Sequence, residues 1–143
     1  MANQTYANHT RWFPLFHFVT FPLLLLNLIF QSVRLYQEPN TDRVVWVVLS
    51  VVLMLISLAA RMQALKAQDR TIRLEERMRY REVLAPDLAQ RAVNMPVGKI
   101  IALRFAPDEE LASLVGQILD GKLKTSKEIK MAIKNWKGDY MRV

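Results

Sequence analysis

Five polar residues lie within and just beyond an apolar run near the start of this chain, and their spacing is that of one helix face. His17, Thr20, Asn27, Gln31 and Arg34 lie three, seven, four and three residues apart. At about 100° per residue they fall within roughly a 100° arc. Polar groups in hydrocarbon face protein or water, and by default they suggest function. Two chemistries suit such a stripe. One is a water-lined path or ion-binding seam where several copies meet; the other is hydrogen-bonded glue between helices. A second apolar run helps to weigh them. It carries Ser50 and Ser57, seven residues apart and hence on one face. In an antiparallel pairing that closes near residues 38–39, Asn27 lies level with Ser50 and Thr20 with Ser57. Matched depths favour glue, at about 0.6 kcal/mol per bond. Gln31 and Arg34 fall near the outer interface, where long side chains snorkel.

Other chemistry has thinner support. His17 has the reference pKa of a proton carrier, about 6.5. Neither run holds an acidic residue to relay to, so a neutral, hydrogen-bonded histidine is the better reading. His9 and His17 are the only histidines and are not at ligand spacing. The chain has no cysteine, which excludes disulfides and thiolate metal sites. Lys127, Lys130, Lys134 and Lys137 form a basic stripe opposite Ile129, Ile133 and Trp136. Such a stripe meets phosphate on anionic lipid or nucleic acid, or is simply solvated. No Arg/Asn/Gln-rich recognition surface accompanies it, which disfavours nucleic acid. The acidic triplet Asp108–Glu110 is explained by helix capping. No Ser–His–Asp set, phosphate-cradling glycine loop or intramembrane carboxylate pair is visible, so no catalytic residue, metal or cofactor is expected.

These residues sit on two kinds of element. The apolar runs cover Phe13 to Phe30 and Val44 to Ala60, each about the length needed to cross a roughly 30 Å hydrocarbon layer. The connection from about Gln31 to Arg43 is too short to carry a domain. Pro14 is harmless near a helix start, whereas the interior Pro22 predicts a bend. A cleaved signal peptide competes for the first run. The run exceeds the usual ~7–15-residue core, and no small-x-small site follows it.

From Thr41 to Ala85 there is no Gly or Pro, so the second run is expected to continue as one helix to Leu84. The extension offers Asp69–Arg73 and Glu75–Arg79 as i,i+4 pairs. Leu58, Met62, Leu65 and Ile72 share a stripe that meets Asp69, Glu76 and Arg79, which allows a short contact but no sustained coiled coil. Short helices follow: Asp87 to Val93, Pro96 to Phe105, one begun by Pro107 and stopped at Gly121, and one capped by Ser126. The last three are expected to pack around Ile100, Phe105, Leu114, Ile118, Ile133 and Trp136.

Charge sets the orientation. The net charge is +7, and the segment after Ala60 is the basic one, opening with Arg61, Lys66, Arg70, Arg73, Arg77 and Arg79. Arg11 flanks the first run. In the connection, Glu38 and Asp42 lie beside Arg34 and Arg43. Lys and Arg mark the cytoplasmic side, so both termini are expected inside. Trp12 at one edge, with Tyr36 and Trp46 at the other, fits interfacial aromatic belts. The triplets Asn3-Gln4-Thr5 and Asn8-His9-Thr10 match the glycosylation pattern, but an inside terminus makes them chance matches.

The stretches ALRFAPDEEL (Ala102–Leu111) and KEIKMAIKNWKGDY (Lys127–Tyr140) resemble the end of an uncharacterised bacterial family of small two-span membrane proteins. That family more often has Ser at the position of Pro107, and either residue begins a helix. The resemblance covers nearly the whole chain and implies this architecture, but it carries no activity and no functional residues.

The expected protein is therefore an all-α inner membrane protein. Its parts are a polar flank (1–12), an antiparallel transmembrane hairpin (13–60), a helical stalk (61–85) and a small C-terminal helical module (86–143). Two spans bury little surface, which favours association with other subunits. The leading function is a non-enzymatic homo-oligomeric assembly or scaffold in the bilayer. The alternatives are an oligomeric channel or transporter lined by the first-run stripe, or an accessory subunit of a larger complex. Self-association and anionic lipid headgroups are the expected contacts.

Overall fold

A computed structural model describes residues 4–8 and 12–139. Asn3, His9, Thr10, Arg11 and Tyr140, which entered the sequence reading, lie outside the described residues. Among the described residues the chain is all-helical, with six α-helices and no strand. They are α1 (Phe21–Gln37), α2 (Thr41–Val83), α3 (Pro86–Ala92), α4 (Val97–Leu103), α5 (Asp108–Leu119) and α6 (Ser126–Ala132). The chain divides into two compact units, one of residues 12–65 and one gathering residues 66–139 with residues 4–8.

In the first unit, the disturbance expected at Pro22 is a π-helical stretch, Leu15–Thr20, leading into α1. Proline lacks an amide, and its ring presses on the carbonyl four residues back. Widening the preceding turn relieves that conflict. Accordingly, the Phe21 amide donates to the Phe16 carbonyl, five residues back. α1 ends at Gln37 because Glu38 precedes Pro39 and is driven out of the helical region, to φ −139°. Asn40 restarts the chain by capping α2, its side-chain oxygen accepting the Arg43 amide at 2.9 Å. Leu15–Gln37 and α2 are both long and apolar enough to cross a membrane.

α2 runs unbroken for 43 residues, as the absence of Gly and Pro requires. Neither of its two expected charge pairs forms. Arg79 ignores Glu75, pairs with Glu76 and Asp108, and donates to the Ala106 carbonyl at 2.7 Å. Arg73 does not pair with Asp69, and its Nε is buried without a partner. A carboxylate or carbonyl held in place by packing competes better for a guanidinium than an exposed i,i+4 neighbour does.

The second unit is built around Tyr80, Leu84, Ile100, Leu103, Phe105, Leu111, Val115, Ile118 and Ile129. This alters the reading of residues 66–84 as a polar stalk. Ile72 and Leu84 are buried there and Tyr80 is fully so, which places one face of α2 in the core. It also removes Ile72 from the stripe expected to meet another helix. α5 ends in a Schellman turn: Gly121 at φ 76° donates to the Ile118 carbonyl and Lys122 to that of Gln117. Thr125, not Ser126, caps α6, exchanging bonds with Glu128 in a capping box. Ser126 instead donates to the Gly98 carbonyl at 2.9 Å.

Candidate functional site

The polar stripe in the first unit is largely turned inward. His17, Thr20, Asn27 and Gln31 are half-buried, as is Ser57, and Ser50 is only 2 % exposed. Arg34 is the exception and lies exposed. The Asn27 amide donates to the Ser50 hydroxyl at 2.8 Å, and that hydroxyl donates to the Trp46 carbonyl at 2.8 Å. Ser50 thus gives its proton along its own helix and offers its oxygen to α1. The buried Ser50 hydroxyl is thereby used as both donor and acceptor, whereas no hydrogen bond joins Thr20 to Ser57.

His17 belongs to a different neighbourhood. Its Nδ1 is 3.0 Å from the Phe13 carbonyl, a contact that places a proton on Nδ1. Trp12 stands edge-on at 4.8 Å and Phe16 at 5.1 Å. Arg61 holds its guanidinium over Phe13 at 5.7 Å and Phe16 at 6.0 Å. Arg34 lies 5.7 Å from the Phe30 ring. Gln31 and Arg34 line an open depression with Asn40, Asp42, Arg43 and Trp46.

The four lysines do not form one helical stripe. α6 ends at Ala132, and Ile133 is extended, so Lys134 and Lys137 lie beyond the helix. The cause is Glu110. Its carboxylate accepts the Lys134 and Asn135 amides at 3.0 and 2.9 Å, together with the Asn135 side chain at 2.9 Å. Those donors would otherwise continue the helix. They also hold the Glu110 carboxyl below the usual carboxylate range, the Lys134 amide most of all. Lys137 is held through its backbone, which donates to the Phe105 carbonyl at 2.8 Å. Lys130 leans over the Phe105 ring, 5.7 Å from its centre. Only Lys127 keeps its expected place as an exposed helical lysine.

A charged cluster that sequence reasoning missed lies in the second unit. Glu76, 7 % exposed, and Arg79 border a cavity of about 510 Å³ with Gln68, Glu75, Arg104 and Asp139. Arg104 is buried, pairs with Asp139 at 3.1 Å and stacks 4.5 Å over Phe105. Burial pushes the Glu76 carboxyl above its ordinary range, and the Arg79 charge opposes that rise. The Tyr80 hydroxyl is driven up by its own burial and by the Glu76 carboxylate. Only the i,i+3 spacing of Glu76 and Arg79 was visible in the sequence. Arg104 and Asp139 are 35 residues apart and meet through folding alone. Its pairs tie different segments: Arg79 joins α2 to Ala106 and Asp108, and Arg104, just past α4, holds Asp139 of the C-terminal segment. Among the described residues, no group of three His, Asp or Glu side chains is placed to hold a metal.

These features define an all-helical protein with two helices long and apolar enough to cross a membrane, one joined to a charged, well-packed unit. The chain belongs to the family of unknown function DUF6526, which it matches over residues 1–143. No curated protein and no solved structure matches it.

Proposed function

We propose that this chain is an integral membrane protein of the bacterial inner membrane. Leu15–Gln37 and the first part of α2 cross the bilayer as an antiparallel hairpin, and the chain acts as a non-enzymatic, homo-oligomeric scaffold. The observation that carries this reading is the inverted polarity of the first unit. Leu26, Phe30, Val45, Leu55 and Ile56 are each more than half exposed, while Asn27 and Ser50 turn inward and bond to each other. Water penalises that arrangement and hydrocarbon rewards it. Because Asn27 and Ser50 bond to each other within one chain, that pair supports glue over a conducting path.

Orientation has its own support. The Asp139 amide donates to the Gln4 side chain at 2.8 Å, tying sequence before the first apolar helix to sequence after the second. Two crossings place those sequences on one side, and the basic residues after Ala60 make that side cytoplasmic. The second unit is then the face offered to partners, and copies associate through the exposed apolar faces of the spans.

Three measurements test the reading. The chain should resist alkaline carbonate extraction. A reporter active only in the cytoplasm, fused after Val143, should give signal. Gentle extraction should give a particle of a single defined multiple of 16.6 kDa. Full release by carbonate sinks the bilayer reading. Signal from a periplasm-specific reporter sinks the topology. A monomer, or a particle dominated by other proteins, sinks the scaffold.

A further inference from the structure

The depression at the turn between α1 and α2 holds charges left without partners. It measures about 440 Å³ and is lined by Gln31, Arg34, Asn40, Asp42, Arg43 and Trp46. Arg43 is neutralised by Glu38. Asn40 is committed to capping α2. Arg34 touches only the face of Phe30, and Asp42 is in no ion pair. One full positive charge and one full negative charge therefore border the same depression without meeting each other.

We propose that this depression is a binding site for the zwitterionic headgroup of a phospholipid in the non-cytoplasmic leaflet. Arg34 takes the phosphate, Asp42 takes the ammonium, and Trp46 packs along the glycerol region. The proposal rests on the bilayer reading given above. A guanidinium presents a planar fork of donors that matches phosphate oxygens, and it is always charged. A primary ammonium is a compact set of three donors that a carboxylate accepts well. An amphipathic indole settles at headgroup depth, and Trp46 is half exposed at this end of the apolar segment. The chemistry also discriminates. An anionic headgroup with no ammonium would satisfy Arg34 and leave Asp42 facing a like charge. A purely cationic ligand would meet the reverse problem. Only a ligand carrying both charges satisfies both walls. This gives Arg34, the last member of the polar stripe, a role that helix glue does not supply.

The test uses the full chain in detergent, titrated by native mass spectrometry with phosphatidylethanolamine or phosphatidylglycerol of identical acyl chains. The wild type should retain the ethanolamine lipid about fivefold better, the size of one exposed ion pair. Asp42→Asn should bring the two lipids to parity by losing only that preference. Arg34→Gln should weaken both. Equal retention by the wild type, or a preference unchanged in both variants, overturns the proposal. Free glycerophosphoethanolamine separates the sources. If it competes as well as the lipid does, the ligand is a soluble zwitterion and the lipid assignment is overturned. Vesicle flotation of the same samples tests the bilayer reading separately. A chain that does not float, yet binds free glycerophosphoethanolamine through Arg34 and Asp42, keeps the zwitterion site and loses the bilayer. No binding of either probe overturns the site whatever the flotation result.

Discussion

The two units solve the same problem, that of burying what the surroundings penalise, in opposite directions. In residues 66–139 apolar side chains go inside: Phe105, Ile100, Leu103, Leu111 and Ile129 are fully buried, and most charges lie outside. In residues 12–65 the apolar side chains face outward and the polar pair Asn27–Ser50 faces in. The same physics gives both patterns if, as proposed above, hydrocarbon surrounds the first unit. In water, removing apolar surface is worth about 25 cal/mol per Å². In hydrocarbon that drive vanishes, and what remains is close packing plus the cost of an unpaired polar group. A single helix, α2, contributes residues to both units.

That contrast predicts very different sensitivities to truncation. Phe105 is fully enclosed, with Trp136 at 4.7 Å and the Arg104 guanidinium stacked on it. Phe105→Ala should destabilise the second unit by about 3–5 kcal/mol, read as a fall in the denaturant midpoint of the Trp136 fluorescence transition. Leu26→Ala, at a side chain 62 % exposed, should leave that transition where it was. Comparable losses from both variants would break the comparison.

Next in size is the integrity of α2. Ala67→Pro removes one helix bond and clashes one turn back, at a cost of about 3 kcal/mol. Limited proteolysis should then show a new cleavage near residues 63–67, and unfolding of the second unit should separate from extraction of the first. An uncleaved variant with unchanged unfolding would mean that helix continuity is not needed.

Two carboxyls in the second unit sharpen the comparison through pH. Glu110 is held below its ordinary range, so the ionised form is favoured by folding. Its contribution is present above the unfolded pKa of about 4.5 and is lost as pH falls through the lower folded value. Glu110→Gln should cost on the order of 1 kcal/mol at neutral pH, discounted for exposure, and should remove that acid-side loss. Glu76 has the opposite sign. Its folded pKa is raised, so its contribution is fully present below about 4.5 and is lost as pH rises through the folded value. Glu76→Gln should flatten that rising-pH loss. Unfolding midpoints from pH 3 to 8 check both signs, and identical profiles for the two variants would contradict them.

The smallest expected effect lies in the first unit. Asn27→Leu leaves Ser50 without its cross-helix donor and should weaken pairing of the two helices by about 0.6 kcal/mol, measured as a small drop in the unfolding midpoint of the first unit in mild detergent. Liposome permeability to ions should not change. Ion flux by the wild type that the leucine abolishes while the oligomer persists would turn the seam into a path.

The sequence by itself determined the elements. Two apolar runs, the 45 residues from Thr41 to Ala85 without Gly or Pro, the stop at Gly121 and the all-helical class all follow from local rules about helix length and interruption. Much of the core was legible too: Ile100, Phe105, Leu114, Ile118 and Ile133 were expected inside and are buried, although Phe105 and Ile133 lie past the ends of their helices. The level placement of Asn27 and Ser50 followed from counting along two helices. Tertiary structure decided which partner each charge takes. Glu76 and Arg79 are neighbours on any helix, but burial of one face of α2 is what makes their pair matter. Nothing local to Arg104 points to Asp139, and nothing local to Lys134 announces that Glu110 will capture its amide and end α6. Helix periodicity is set by bonds four residues apart. Ion pairs and chain-end captures are instead set by groups distant in sequence, and only packing brings these within reach of each other.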